Sequence, residues 1–150
     1  MYKIYIFADS YKHFEEAINE YEKRLWKYIF LNKLKPSKKS EEPLIIKDET
    51  ENIIKKLEKE NWYKIVLKPT WKNYKTQEFY NFINKKKQTN SSFIFIIWWA
   101  LWLDYKLLKP YVDLELWLWD FTMPHSLALV ILLEQIYRIE MIKKWTNYHK

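Results

Sequence analysis

The side chains that could do chemistry are few, and most lie in the second half of the chain. His13, His125 and His149 are the three histidines, and none belongs to an HExxH pattern or to a carboxylate cluster at metal-ligand spacing. The sequence has no cysteine, which excludes a thiolate nucleophile and a disulfide framework. It has no glycine either, so a Walker loop, a GxGxxG loop and a nucleophile elbow are absent. The sequence therefore predicts no metal site and argues against hydrolase and kinase chemistry.

Four short segments remain distinctive: residues 97–104 (Ile-Trp-Trp-Ala-Leu-Trp-Leu-Asp), 121–125 (Phe-Thr-Met-Pro-His), 133–138 (Leu-Glu-Gln-Ile-Tyr-Arg) and 147–150 (Asn-Tyr-His-Lys). In the third segment, Glu134 follows a run of apolar residues, where an unpaired carboxylate is costly to bury. Glu134 is therefore either paired structurally, with Arg138 one turn on, or functional. His125 follows Pro124, and we interpret it as a structural cap or hydrogen-bond partner in preference to a catalyst.

The charge balance favours a polyanionic partner. The chain carries 26 Lys and Arg against 19 Asp and Glu, a net charge of +7. Each lysine run taken alone is equally well explained as a solvated face, but the runs together with the many aromatic residues favour RNA. The runs are Lys33, Lys35, Lys38 and Lys39; Lys85 to Lys87; and Lys143, Lys144 and Lys150.

The hydrophobic pattern alternates strands with helices. Strands are predicted at residues 2–8, 28–34, 62–67, 93–97 and 114–118. Helices are predicted after caps at Asp9 or Ser10, at Asp48 within a capping box, at Thr76, after Asp104, and from Ser126 to near Lys144, with a loop at residues 35–42. This order predicts an α/β fold with a mainly parallel sheet flanked by helices, whose ligands bind at the carboxyl ends of the strands.

The size of the chain predicts one domain over residues 1–150. The first residues lack the apolar core of a signal peptide, and no apolar stretch approaches the roughly 20 residues that span a bilayer. We therefore expect a cytoplasmic protein that does not insert into membranes.

Taken together, the distinctive segments resemble the RlmH family of the SPOUT class of methyltransferases. That family has Ile-Gly-Gly at the end of a strand, a Gly-Leu shortly after, then Phe-Pro-His or Leu-Pro-His, Glu-Gln-x-Tyr-Arg on the last helix, and a terminal Tyr-His-Lys or Tyr-His-Arg. All of these except the glycines are present here, with Met123 as the residue before Pro124-His125. Residues 20–25 also resemble the family's first helix, and Trp71-Lys72 replaces its Gly-Lys, so the resemblance covers essentially the whole chain.

The resemblance implies methyl transfer from S-adenosyl-L-methionine to ring nitrogen 3 of a pseudouridine in 23S ribosomal RNA, on the ribosome. It also implies a SPOUT-type fold with a deep C-terminal trefoil knot, and a homodimer. The implied cofactor-binding residues are Leu67, Trp98, Leu118, Trp119, Asp120, Phe121, Thr122 and Met123. The implied catalytic residues are Glu134, Tyr148, His149 and Lys150, of which the last three form a tail that reaches the active site across the dimer.

Some residue assignments stay open. Glu134, His149 or water could accept the imide proton. From the residues alone, Leu67 is an ordinary core residue. Relatives commonly carry an arginine four residues after the Pro-His histidine, and Leu129 stands there in this chain. Any RNA or subunit contact made by that arginine is therefore in doubt.

The tryptophans raise a separate hypothesis. The chain has nine tryptophans and no glycine, where average glycine usage near 7% would give about ten. Trp98, Trp99 and Trp102 stand where the family has glycine in its cofactor loop, and Trp26, Trp71 and Trp145 stand where relatives often have it. We hypothesise that the gene uses UGA for glycine, with UGA translated here as tryptophan. The alternative is a tryptophan-rich protein that evolved without glycine.

Two other functions fit the same residues. One is a SPOUT methyltransferase for another RNA, against which the terminal Tyr-His-Lys argues. The other is a non-enzymatic basic module that binds RNA or the ribosome, which follows if the tryptophans are native and obstruct the cofactor pocket.

Overall fold

Five parallel strands form one sheet in the order β2-β1-β4-β3-β5. The computed structural model describes residues 1–68, 74–97, 103–118 and 123–144. The strands are β1 (Tyr2–Phe7), β2 (Ile29–Leu34), β3 (Tyr63–Leu67), β4 (Phe93–Ile97) and β5 (Leu114–Leu116). The helices are α1 (Glu15–Leu25), α2 (Glu42–Leu57), α3 (Thr76–Lys86), α4 (Tyr105–Leu108) and α5 (His125–Lys143). The α/β class and the parallel sheet flanked by helices are thus confirmed.

Strand β4 lies at the centre of the sheet and is buried along its whole length. Its sequence is Phe-Ile-Phe-Ile-Ile, the continuous apolar run that a strand covered on both faces requires. Phe93, Phe95 and Ile97 pack on one side of the sheet, and Ile94 and Ile96 on the other. The predicted boundaries of this strand are confirmed.

The helices form a layer on each face. Helices α1, α3 and α5 share one core with Tyr2, Ile4 and Ile6 of β1, and α5 packs between α1 and α3. Helices α2 and α4 cover the opposite face, where they meet Tyr5 and Phe7. This division follows from the period of two in a strand, which sends alternate side chains of β1 to opposite faces. Within the described ranges, none of the helices is both long and apolar enough to cross a membrane.

Three predicted helix starts are wrong. Asp9 and Ser10 do not cap α1, since a 3₁₀ turn at Lys12–Phe14 intervenes and no side chain caps the helix. Helix α2 begins at Glu42, six residues before Asp48, because Pro43 fits the first turn of a helix, where its missing N–H costs nothing. Thr76 is the first residue of α3, and the Glu78 carboxylate accepts the Lys75 backbone N–H at 2.9 Å in place of a threonine cap.

Four strand boundaries also differ. Strand β1 ends at Phe7, one residue before the predicted Ala8, and β3 begins at Tyr63, one residue after the predicted Trp62. Strand β5 ends at Leu116, two residues before the predicted Leu118, because its pairing with β3 ends where Leu67 meets Leu116. Strand β2 begins at Ile29, one residue after the predicted Tyr28. Small shifts of this kind are usual at element ends, where local sequence signals are weakest.

A buried ionic cluster holds the amino ends of the strands against the end of α5. Glu140 is only 2% exposed, and its Oε1 accepts hydrogen bonds from the Tyr2 hydroxyl at 2.7 Å and from the Lys87 ammonium at 2.8 Å. The Lys87 ammonium also lies 4.8 Å from the centre of the Tyr2 ring. Burial alone would raise the pKa of Glu140, but the hydrogen bonds from Lys87 and Tyr2 and the charges of Lys87 and Lys143 outweigh it and hold the pKa below its ordinary value of 4.5.

We predict that Glu140→Gln lowers the free energy of unfolding by about 2 to 3 kcal/mol at pH 7, because it removes a charged acceptor from two buried donors. The depressed pKa means that the parent chain keeps this contribution above pH 4.5 and loses it as pH falls through the folded-state pKa. The difference between parent and variant should therefore shrink in acid. Urea unfolding at pH 7 and pH 3 measures it.

The matched control is Glu20→Gln, which makes the same change in an exposed ion pair with Arg24, whose side chain is 45% exposed. We expect a loss below about 0.5 kcal/mol there. Equal losses for the two variants would contradict the assignment of Glu140 as an anchor.

Candidate functional site

The carboxyl ends of β3, β4 and β5 meet at one edge of the sheet, where a ligand is expected in a parallel α/β fold. Leu67 of β3 is aligned with Ile97 of β4 on one side and with Leu116 of β5 on the other. Leu67 is buried in the core that α5 covers, and Leu118 is a half-buried neighbour of the same core. Leu67 and Leu118 therefore share one apolar core at this edge.

Three of the predicted cofactor residues lie within the described part of the chain: Leu67, Leu118 and Met123. Leu67 closes β3, Leu118 follows β5 by two residues, and Met123 precedes α5 by two. The other five lie outside the described residues: Trp98, Trp119, Asp120, Phe121 and Thr122. Among the described residues, no group of three or more His, Asp or Glu side chains could hold a metal ion.

A polar cluster that the sequence analysis missed borders this edge. The Lys68 ammonium lies 3.5 Å from Glu115 Oε2 and 3.5 Å from the centre of the Tyr105 ring. The Tyr105 hydroxyl donates to Glu115 Oε1, and burial together with this bond and the Glu115 charge raises the pKa of Tyr105. The cluster joins the ends of β3 and β5 to α4. Its sequence signal was weak, since only the position of Lys68 directly after a buried strand pointed to it.

The short helix that carries Tyr105 is held by a cap and by α2. The Asp104 carboxylate accepts the backbone N–H groups of Lys106 at 3.0 Å and Leu107 at 3.3 Å. The Asp104 N–H in turn donates to Thr50 Oγ1 at 2.8 Å. The prediction of a helix after Asp104 is confirmed, and these bonds fix where Tyr105 meets Glu115.

Glu134 is paired structurally, one of the two alternatives that the sequence left open. Arg138 Nε donates to Glu134 Oε1, and Gln135 Nε2 donates to Oε2 at 2.6 Å. The side-chain oxygen of Gln135, Oε1, accepts a hydrogen bond from the Thr76 hydroxyl at 2.9 Å, which links α5 to the start of α3. The pair leaves the Glu134 side chain 21% exposed, so the carboxylate is positioned and still reachable.

His125 is the first residue of α5, and Pro124 occupies the cap position without a side-chain bond. His125 is therefore not the cap of this helix, and its interpretation as a hydrogen-bond partner stays a prediction. Burial and, next, the charge of Lys12 lower the pKa of His125 below its ordinary 6.5. A neutral imidazole is consequently favoured at this helix start, where a cation would oppose the helix dipole.

Leu129 lies on α5 and is fully buried in the core between this helix and the sheet. A leucine side chain with no exposed surface makes no contact with RNA or with another subunit. The remaining predicted catalytic residues, Tyr148, His149 and Lys150, lie outside the described residues.

Some of the tryptophans lie within the described residues and the others lie outside them. Trp26, Trp62 and Trp117 lie within the described ranges, and Lys12 is the one described residue with positive φ. Trp26 ends α1 in an ordinary right-handed conformation (φ −49°, ψ −31°) and is 70% exposed, so its backbone does not require glycine. The other six lie outside the described residues: Trp71, Trp98, Trp99, Trp102, Trp119 and Trp145.

Comparison with known proteins places the chain in a family. The family model described as "Predicted SPOUT methyltransferase" matches residues 2–149. Proteins named "Ribosomal RNA large subunit methyltransferase H" are similar to the chain. The protein from Clostridium acetobutylicum is 36% identical over 148 residues, and that from Clostridium botulinum (strain Eklund 17B) is 39% identical over 147. The protein from Fusobacterium nucleatum is 33% identical over 143 residues. Each alignment covers 93% of this chain and 92% of the relative.

We predict that His125 titrates below pH 6.5 and that Lys12→Ala raises its pKa part of the way back, because burial still disfavours the imidazolium when the lysine charge is removed. NMR titration of the imidazole protons measures both values. Lys38→Ala is the control, and it should leave the His125 midpoint unchanged. A midpoint at or above 6.5 in the parent chain would contradict the packing described here.

Proposed function

Because the chain belongs to the SPOUT methyltransferase family, we propose that it transfers a methyl group from S-adenosyl-L-methionine to ring nitrogen 3 of a pseudouridine in 23S ribosomal RNA. The observation that carries the proposal is similarity over nearly the full length to proteins named large subunit methyltransferase H. The proposal includes the whole chain acting as one domain, in the cytoplasm, on assembled ribosomes. It also includes the trefoil knot of the SPOUT fold, formed by the segments that leave the carboxyl edge of the sheet.

The carboxyl edge suits the proposed cofactor. The half-buried Leu118 offers apolar surface for a flat base and packs on the same core as the buried Leu67, while the ion pair of Lys68 with Glu115 offers polar groups at the border. S-adenosyl-L-methionine supplies an activated methyl group when bound. Transfer by in-line displacement depends on alignment and requires no metal, so the task of the chain is to hold acceptor and donor in one line.

Loss of the imide proton from the acceptor nitrogen requires a base. Glu134 is held by Arg138 and Gln135 on a rigid helix, an arrangement that suits a positioned carboxylate as well as a structural one. His149 is the alternative base, and water is the third. Tyr148 and Lys150 are proposed to stack on the target base and to contact its phosphate.

The direction of α5 supports a site shared between two chains. Helix α5 starts beside the cofactor edge and ends at the Glu140 cluster near the amino ends of the strands. Its 19 residues span about 28 Å. From Lys144, the five further residues to His149 reach at most about 18 Å. The tail is therefore too short to return along its own helix, which favours action on the site of a partner subunit in a homodimer.

A face of α5 offers the surface for that dimer. Leu127 and Ile131 lie one turn apart and remain half-buried, outside the two cores. The Glu134 and Arg138 pair continues the same stripe along the helix. A helix that is apolar nearly all round is typical of one buried on more than one side. A second copy packed on this stripe would complete that burial.

We predict that S-adenosyl-L-methionine binds a version of the chain in which all nine tryptophans are replaced by glycine, and binds the chain as written at least tenfold more weakly. The physical reason is that an indole in the cofactor loop fills space and disfavours positive φ. Calorimetric titration of both purified chains measures the affinities.

Two results would count against these ideas. Equal binding by both chains would contradict the reassignment hypothesis and would support the proposed cofactor. UGG codons at the nine positions in the coding DNA would also contradict the reassignment hypothesis. No binding by either folded chain, with ribosome binding retained, would favour the non-enzymatic ribosome-binding module.

We predict that the double variant Leu127→Glu with Ile131→Glu is monomeric and loses methyl transfer by at least 100-fold, because charges on the stripe oppose its burial and the tail loses its partner site. Light scattering and transfer of labelled methyl groups to ribosomes measure the two effects. Leu107→Glu is the matched control, since Leu107 is 50% exposed on α4 away from the stripe. A dimeric double variant would exclude this face as the interface.

A further inference from the structure

The turn after β1 and the loop after β2 lie side by side at the carboxyl edge of the sheet. The pairing of β1 with β2 extends to this edge through a hydrogen bond from the Ala8 N–H to the Leu34 carbonyl at 3.0 Å. The same edge, two strands further on, carries the proposed cofactor residues at the ends of β3 and β5. A surface built on the first two strands therefore borders the proposed site.

Lys33 is held at this edge by an aromatic ring. It is aligned with Ile6 in the β1–β2 pairing, so both side chains leave the same face of the sheet. The Lys33 ammonium lies 4.8 Å from the centre of the Tyr11 ring, and Tyr11 itself is only 5% exposed. The contact directs an exposed lysine toward the turn after β1 without neutralising its charge.

A buried carboxylate holds the loop that carries three further lysines. Glu49 of α2 is 3% exposed, and its Oε1 accepts the Ser37 backbone N–H at 2.9 Å. Burial raises the pKa of Glu49, which shows that its charge is poorly solvated there. Holding a loop in this way costs stability. Lys35, Lys38 and Lys39 are exposed, and the hydrogen bond at Ser37 fixes the middle of the loop that carries them.

Lys12 has a strained backbone conformation. Its φ of 49° is in the left-handed region, which is strained for a residue that carries a Cβ. Its side chain is exposed, and its charge is near enough to His125 to affect that imidazole. Strained residues persist where the surrounding structure requires them and cluster at functional sites.

We propose that Lys12, Lys33, Lys35, Lys38 and Lys39 form one phosphate-binding strip that holds the RNA backbone beside the target base. The strip runs from the start of α5 across the ends of β1 and β2. Lysines act as point charges on phosphate, which suits positioning, while the choice of base is left to the site next to them. The inference rests on the proposed function, because it takes RNA as the substrate.

Acidic residues border the strip on one side. Burial raises the pKa of Tyr11 to about 12, and the charges of Glu22 and Glu15 on α1 add to the effect. These carboxylates repel a polyanion from α1, so the RNA is directed along the edge of the sheet.

The experiment measures binding of the chain to 70S ribosomes, from a strain that lacks this methylation, over a range of KCl concentrations. The strip variant is Lys33→Ala, Lys35→Ala, Lys38→Ala and Lys39→Ala together. The control is Lys23→Ala, Lys55→Ala, Lys59→Ala and Lys85→Ala together. These four exposed lysines lie at or just after the carboxyl ends of α1, α2 and α3. Thermal unfolding checks that both variants stay folded.

We expect the strip variant to bind at least 30-fold more weakly near 0.1 M salt and to lower the salt slope by about 3, and the control to change the affinity less than threefold. Equal effects of the two variants, with ribosome binding by the parent, would overturn the strip and leave the proposed function standing. No ribosome binding by the parent chain would overturn the RNA substrate, and the strip with it.

Discussion

The rest of the molecule depends on the burial of β4 between two helical layers. A strand with no polar side chain must be covered on both faces, and parallel neighbours meet this need because each crossover connection supplies a covering helix. Both neighbours of β4 are parallel to it. Parallel strands bring all carboxyl ends to one edge, so the same constraint that builds the core also decides where a ligand can bind.

Helix α5 connects the two edges of the sheet. Its start lies at the carboxyl edge with His125, and its end is fixed at the amino edge by the buried Glu140 with Tyr2 and Lys87. The two ends differ in chemistry, since burial keeps His125 toward its neutral form and hydrogen bonds keep Glu140 ionised. The tail residues follow the end of α5 that lies farther from the proposed cofactor edge. This placement is the physical reason for proposing that the tail acts on the site of a partner subunit.

The proposed enzyme divides its work along the carboxyl edge. The ends of β3 and β5 carry apolar core residues and the pair of Lys68 with Glu115, and the ends of β1 and β2 carry the lysines. Separation of the two tasks suits an enzyme whose substrate is a large polyanion and whose cofactor is small. The backbone of the RNA can be held over a wide area while the chemistry stays at one point.

The sequence by itself determined the fold class, a mainly parallel sheet and the boundaries of β4, because the alternation of apolar runs with helical stripes is a local property. Through its motifs it also determined the family. It offered the pairing of Glu134 with Arg138, one helical turn apart, as one of two alternatives, and the structure contains that pair. It misplaced the starts of α1 and α2, where several residues could serve as caps and the packing of the first turn made the choice.

Only the tertiary structure decided the contacts between distant segments. Lys68 meets Tyr105 and Glu115, Glu49 meets Ser37, and Tyr2 meets Glu140 across 138 positions of sequence. No local pattern encodes such pairs, since each depends on which strands lie side by side and on which face a helix covers. The physical reason is that burial makes a polar group costly until a partner is found, and the fold, not the neighbouring sequence, supplies that partner.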